Sequence, residues 1–94
     1  MTTKEKYHLR LFVAGNGSDT TEAINNLERI NAENLANDAR IEIIDIKTNP
    51  ALALENMVIA TPMLIMEAPE PKVTIIGNLS DTKKVLMALK ITNL

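Results

Sequence analysis

"LFVAGNGSDTTEAI", residues 11–24, decides the fold, because it reads as a strand, a tight loop and the start of a helix. Over Tyr7 to Ala14, Leu9, Leu11 and Val13 alternate with His8, Arg10 and Phe12, the period of two that marks a strand. Gly15 and Gly17 suit a loop that needs backbone conformations other residues resist. Asp19 is the predicted N-cap, and Glu22, three residues on, completes a capping box. A helix then runs from Thr20 to Leu35, with Ala23, Ile24, Leu27 and Ile30 as its apolar stripe. Asn25, Asn26, Asn31 and Asn34 are weak helix formers, so packing rather than propensity must hold this helix.

Working outward, Ile41 to Ile46 is an isoleucine-rich strand. Asn49 is placed to cap a short helix with Pro50 in its first turn, ending before Thr61-Pro62. Met63 to Glu67 and Val73 to Ile76 read as two more strands, joined by the turn "APEPK". Ser80 is the predicted cap of a last helix, Asp81 to Ile91, with Val85, Leu86, Ala88 and Leu89 facing inward. The order is βαβαββα. Right-handed crossovers place the second strand beside the first and the third on its other side, and the fourth closes a hairpin. With helices on both faces, this α/β order is the thioredoxin core without its N-terminal strand. Pro62 stands where thioredoxin-like proteins keep a cis-proline. The local signal alone leaves cis and trans open.

Ninety-four residues make a single domain, 1–94, near the lower limit for a self-sufficient core. Only 2% of the chain is aromatic, so Leu, Ile, Val, Met and Ala must fill that core. A net charge of −2 offers no field for nucleic acid or anionic membrane, and Lys83-Lys84 reads as a solvated helix face. Without cysteine there is no disulfide, thiolate nucleophile or thiolate metal ligand. No apolar stretch reaches the length of a membrane span, and "MTTKEKYHL" has no signal-peptide core, so a soluble, cytoplasmic protein is expected.

No set of residues reads as catalytic. His8, the sole histidine, has no acid nearby in sequence and reads as structural or exposed. Asp38, Glu42 and Asp45 read as solvated carboxylates, and Glu67 and Glu70 lack a partner base. Ser18, Thr20 and Thr21 are better placed to cap a helix than to act as nucleophiles. "AGNGSD" has the position of a phosphate loop but lacks its lysine and the third glycine of a dinucleotide fingerprint, and Asp19 would repel an anion. The residues therefore point to a binding module, not an enzyme, with no cofactor and no metal.

Four stretches resemble the KaiB family: "LRLFVAGN" at 9–16, "IIDIKTNPALA" at 43–53, "IATPML" at 59–64 and "IIGNLSDTKKVLMAL" at 75–89. The resemblance implies a regulator that docks on the hexamer of a KaiC-type ATPase, where KaiA or a clock histidine kinase can compete for the same site; the alternative is a stand-alone thioredoxin-like sensor or ligand-binding module without redox activity. It also implies two folds: a thioredoxin-like βαβαββα monomer that binds KaiC, and a ground state, βαββααβ, that self-associates to a tetramer. The family surface makes Ile41, Ile43, Asn49, Met57 and Met66 candidate partner contacts, with core packing the other reading of Met57 and Met66. Lysines common in the family at 42, 57 and 66 are replaced here by Glu42, Met57 and Met66, and arginines at 73 and 74 by Val73 and Thr74. A cationic docking face is therefore expected to be weakened. Where the family commonly has glycine and aspartate, this chain has Ala88 and Lys90, the fold-switch candidates. Ala favours helix over Gly by about 1 kcal/mol, and a cation suits a helix C-terminus, so both changes predict the thioredoxin-like form with helix through Lys90.

Overall fold

The computed structural model describes residues 5–91. Seven elements follow in the predicted order: β1 (Tyr7–Val13), α1 (Ser18–Asn34), β2 (Ala39–Asp45), α2 (Pro50–Glu55), β3 (Met63–Ala68), β4 (Val73–Ile76) and α3 (Thr82–Ala88). The sheet order is β2-β1-β3-β4. β1 pairs parallel with β2, Leu9 opposite Ile41 and Leu11 opposite Ile43. It pairs antiparallel with β3, Leu11 opposite Leu64, with an irregularity between His8 and Leu9. β4 closes the sheet against β3, Leu64 opposite Ile75.

β1 is apolar along one face, at Leu9, Leu11 and Val13, and at Phe12 on the other, so its C-terminal half is buried from both sides and lies inside the sheet. On one face Leu9, Leu11 and Val13 pack with Leu64 and Met66 against Ala23, Leu27 and Ile30 of α1 and Val85 of α3. On the other, Phe12 packs with Ile44, Met63 and Ile65, covered by Leu52 of α2 and by Val58. The first cluster is the larger because a 17-residue helix and α3 share that face. Six-residue α2 covers only part of the second.

Three capping expectations are corrected. α1 starts at Ser18 with Gly17 as N-cap, so Asp19 lies inside the first turn rather than at the cap. Its carboxylate still suits the positive helix end. Glu22 closes no capping box; its Oε1 accepts from Asn78 Nδ2 at 3.3 Å, tying α1 to the loop after β4. Asp81, not Ser80, caps α3, its Oδ1 accepting from Lys84 N–H at 3.1 Å. Asn49 does occupy the N-cap of α2, but its side chain turns back to donate to Asp45 O at 3.0 Å. The peptide bonds before Pro62, Pro69 and Pro71 are cis.

Helix through Lys90 is also corrected. α3 ends at Ala88, and Lys90 has φ +58, the left-handed region. Lys90 N–H donates to Met87 O and Ile91 N–H to Leu86 O, the two bonds of a Schellman motif. Met57 after α2, with φ +53, repeats it: Met57 N–H to Leu54 O and Val58 N–H to Ala53 O. Left-handed backbone costs a side-chain-bearing L-residue about 1–2 kcal/mol. Aspartate and asparagine tolerate it better than lysine. At position 90 this preference opposes the charge argument, so Lys90 does not favour the helical form as the sequence implied.

Relieving that strain should stabilise the fold. Lys90→Gly is expected to raise unfolding free energy by about 0.5–1 kcal/mol, the left-handed cost less glycine's own entropy. Ala88→Gly, inside the helix, should lower it by about 1 kcal/mol. Urea midpoints of the two variants should move in opposite directions. A fall for Lys90→Gly would mean that the left-handed site is not strained.

Candidate functional site

The β1–α1 loop occupies the place where a thioredoxin carries its thiols. Gly15 has φ +73, and a Cβ there would come within 3.2 Å of Lys47 Nζ. Asp45, at the end of β2, fixes this loop: its Oδ1 accepts from Gly15 N–H at 3.1 Å and Lys47 N–H at 2.9 Å. The Lys47 and then the Gly15 hydrogen bond hold the Asp45 carboxyl below its usual range. Asp45 is thus a loop anchor and not merely a solvated carboxylate. Thr21 Oγ1 donates back to Gly17 O and Thr20 is buried, but no side chain caps α1, so the capping reading of these hydroxyls is corrected too. His8 lies five residues back along β1 from Val13, about 16 Å at ~3.3 Å per residue, too far to act as their base.

Sequence reasoning left His8 without an acid, and the structure corrects this. Parallel pairing sets His8 beside Arg40 and Arg10 beside Glu42. Glu42 Oε1 lies 2.8 Å from His8 Nε2 and 3.2 Å from Arg10 Nε, and its Oε2 lies 3.3 Å from Arg40 Nη2. Glu67 on β3 continues the row, 3.5 Å from Arg10 Nη1 and 3.2 Å from Lys72 Nζ. Arg10 also stacks over the Phe12 ring, 5.6 Å from its centroid. These charges cross three strands on the half of the sheet face that α2 leaves open. The Glu42 carboxyl is held below its usual value first by the His8 hydrogen bond, with the charges of Arg40 and Arg10 adding to it.

The other feature is apolar. Leu54, Met57 and Ile59 are 81%, 78% and 84% exposed. They border a shallow groove of about 540 Å³ floored by Ile46, Pro50, Ala53 and Val58. So much exposed aliphatic surface on so small a domain marks a contact surface. α2 is too short to turn every apolar side chain inward: Leu52 reaches the core and Leu54 does not. Met57 was foreseen here; Leu54 and Ile59 were not, although "ALALENMVIA" carries more apolar residues than one short helix can bury.

The five contact candidates do not converge. Ile43, 43% exposed, and half-buried Ile41 lie on edge strand β2, on the face packed by α1. Met57 lies with α2 on the opposite face. Asn49 is half-buried and tied to Asp45. Met66 is 3% exposed within the core between β3 and α1, so in this fold it cannot touch a partner. Among the described residues no cluster of His, Cys, Asp or Glu could hold a metal ion, and no helix is long and apolar enough to cross a membrane.

The chain is a thioredoxin-like domain without thiols, with a charged row and an exposed apolar surface around its shortest helix. The solution structure of the N-terminal domain of Synechococcus elongatus SasA superposes with a TM-score of 0.75 at 19% identity, covering 96% of this chain and 89% of that one. Mitochondrial thioredoxin 3 from Saccharomyces cerevisiae follows at 0.72 and 18%, covering 95% and 82%. Both show the fold. The KaiB domain model matches residues 10–91. Circadian clock protein KaiB3 of Synechocystis is 42% identical over 83 residues, 88% of this chain and 81% of its own. The circadian clock oscillator protein KaiB of Microcystis aeruginosa is 41% identical over 86 residues, 92% and 83%. The chain belongs to the KaiB family.

The charged row makes stability depend on pH on the acid side. The Glu42 pKa is lower in the folded chain than its ordinary 4.5, so between those values the unfolded chain binds more protons. Its contribution is fully present above about pH 4.5 and lost as pH falls through the folded value. Glu42→Gln should flatten that acid-side slope in urea unfolding. At neutral pH it should cost no more than about 1 kcal/mol, because the cluster is part-exposed. An unchanged slope would show that Glu42 gains nothing from His8 and its arginines.

Proposed function

We propose that this chain is a non-enzymatic, cytoplasmic clock-type regulator that docks on the ring of a KaiC-type ATPase in a circadian, timer or stress-response system. The supporting observation is the family match across residues 10–91, with relatives named as circadian clock proteins. The apolar surface of Leu54, Met57 and Ile59 is the proposed contact. Partner proteins of the KaiA or histidine-kinase type would compete for the ring or for the edge of β2. Among the described residues no arrangement of acid, base and nucleophile supports a catalytic reading.

The contact is apolar, and at Met57 it is so where the family resemblance implies a lysine. Binding should therefore respond weakly to ionic strength, since screening acts on charges and not on buried aliphatic area. The test is titration of the KaiC-type ATPase encoded in the same genome, at low and high salt. Leu54→Asp or Ile59→Asp should weaken binding about tenfold or more, or ~1.4 kcal/mol, with the fold intact. No complex with the cognate ring would overturn the docking reading. A complex indifferent to both substitutions would move the contact elsewhere.

The family's second fold, the tetrameric βαββααβ form, is proposed as a minor state here. Ala88 is then the main lever, because the opposing effects at Lys90 nearly cancel. Ala88→Gly should shift the balance by about 1 kcal/mol, about fivefold in population. NMR secondary shifts over residues 80–91 read it directly. Strand signals there in the parent chain would reverse the assignment of the major state.

A further inference from the structure

Asn16 and Gly17 stand in the loop that holds the thiols in a thioredoxin, and they carry a different chemistry. We propose that Asn16 is a site of spontaneous deamidation through a cyclic imide formed with Gly17. It is the one asparagine in the chain followed by glycine. Both residues are exposed. Among the described residues no hydrogen bond holds the Asn16 side chain. Asn26, Asn31 and Asn56 are, by contrast, tied through their side-chain amides to Asn78 O, Ala39 N–H and Leu52 O. A Cβ added at Gly17 would meet nothing within 4 Å, so no neighbouring group crowds the backbone at Gly17 on that side.

The steps balance without an oxidant or reductant. Gly17 backbone nitrogen gives its proton to hydroxide and attacks Asn16 Cγ. The new N–C bond forms as the Cγ–Nδ2 bond breaks, and Nδ2 leaves as ammonia with a proton from water. Water then opens the ring. Cleavage at Cγ leaves aspartate at 16; cleavage at the main-chain carbonyl leaves isoaspartate, whose backbone runs through Cγ and is one methylene longer.

Either product alters the start of α1. Gly17 is the N-cap and supplies no side-chain cap, so a carboxylate one residue earlier meets the uncapped positive end of a 17-residue helix. Lys47 Nζ lies over the neighbouring Gly15 and is at hand to pair with it. Isoaspartate instead lengthens the chain between the Gly15 N–H bond to Asp45 and the Gly17 O bond from Thr21 N–H, so it loosens the loop at both anchors. The modification is an irreversible, age-dependent change of charge and backbone in this loop, independent of the docking proposed above.

The experiment uses the purified full chain, incubated at neutral and mildly alkaline pH and sampled over time. Peptide mass mapping with fragmentation is expected to locate replacement of NH2 by OH at Asn16, and not at Asn25 or Asn26. The rate should rise with hydroxide concentration, and the product should accept methyl groups from an isoaspartyl methyltransferase. Gly17→Ala, at a φ of −72 that alanine adopts freely, should keep the same melting profile and slow conversion at least about tenfold by crowding the nitrogen. A free peptide of residues 11–24 serves as the reference. If that peptide converts while the folded chain does not, the loop holds Asn16 out of reach and the proposal fails. It also fails if conversion falls on another asparagine or ignores Gly17→Ala.

Discussion

Everything in this domain depends on the C-terminal half of β1, Leu11 to Val13, being buried on both faces. Leu9, Leu11 and Phe12 have no exposed surface at all. Where Leu11, Phe12 and Val13 place apolar side chains on both sides, the strand takes a neighbour on each side and a helix on each face. β2 supplies the parallel neighbour and β3 the antiparallel one. α1 and α3 share one face and α2 takes the other. Burying those side chains, at roughly 1.5–3 kcal/mol each, outweighs the poor helix propensity of the asparagine-rich α1.

The unequal covering of the two faces creates the surfaces available for function. A six-residue helix covers Phe12, Ile44 and Ile65 but not the end of the sheet where His8, Arg10, Glu42 and Glu67 emerge. That end is filled by charges that pair across strands, although Arg10 Nε and Glu67 Oε2 are buried there without a hydrogen bond. Around α2 itself the apolar residues outnumber the places to bury them, and Leu54, Met57 and Ile59 stay in water. A charged row and an apolar groove on one side of a small sheet thus have a single cause in the shortness of α2.

Much of this was legible in the residues. β4 has the predicted ends, and β1, β2 and β3 differ from prediction by one or two residues, because period-two patterning is local. Helix ends were less legible. Asp19 and Ser80 are good caps by type, yet Gly17 and Asp81 hold the positions, since loop anchoring by Asp45 and the reach of Asp81 to Lys84 N–H decide where each helix begins. Met66 illustrates the limit for the site. Family position suggested a surface contact, but the register of β3 against β1 sets it opposite Leu9 and inside the core.

The sequence by itself determined the element order, the absence of thiol chemistry and the family, because these rest on residue type and spacing along one chain. Only the tertiary structure decided that Glu42 serves His8, Arg10 and Arg40 together, that Glu67 extends the row, and that Lys90 leaves the helix in a left-handed turn. His8 and Glu42 stand 34 positions apart and meet only because two strands pair in one register. Distances between such groups belong to the packed sheet and are not encoded in any local window of the chain.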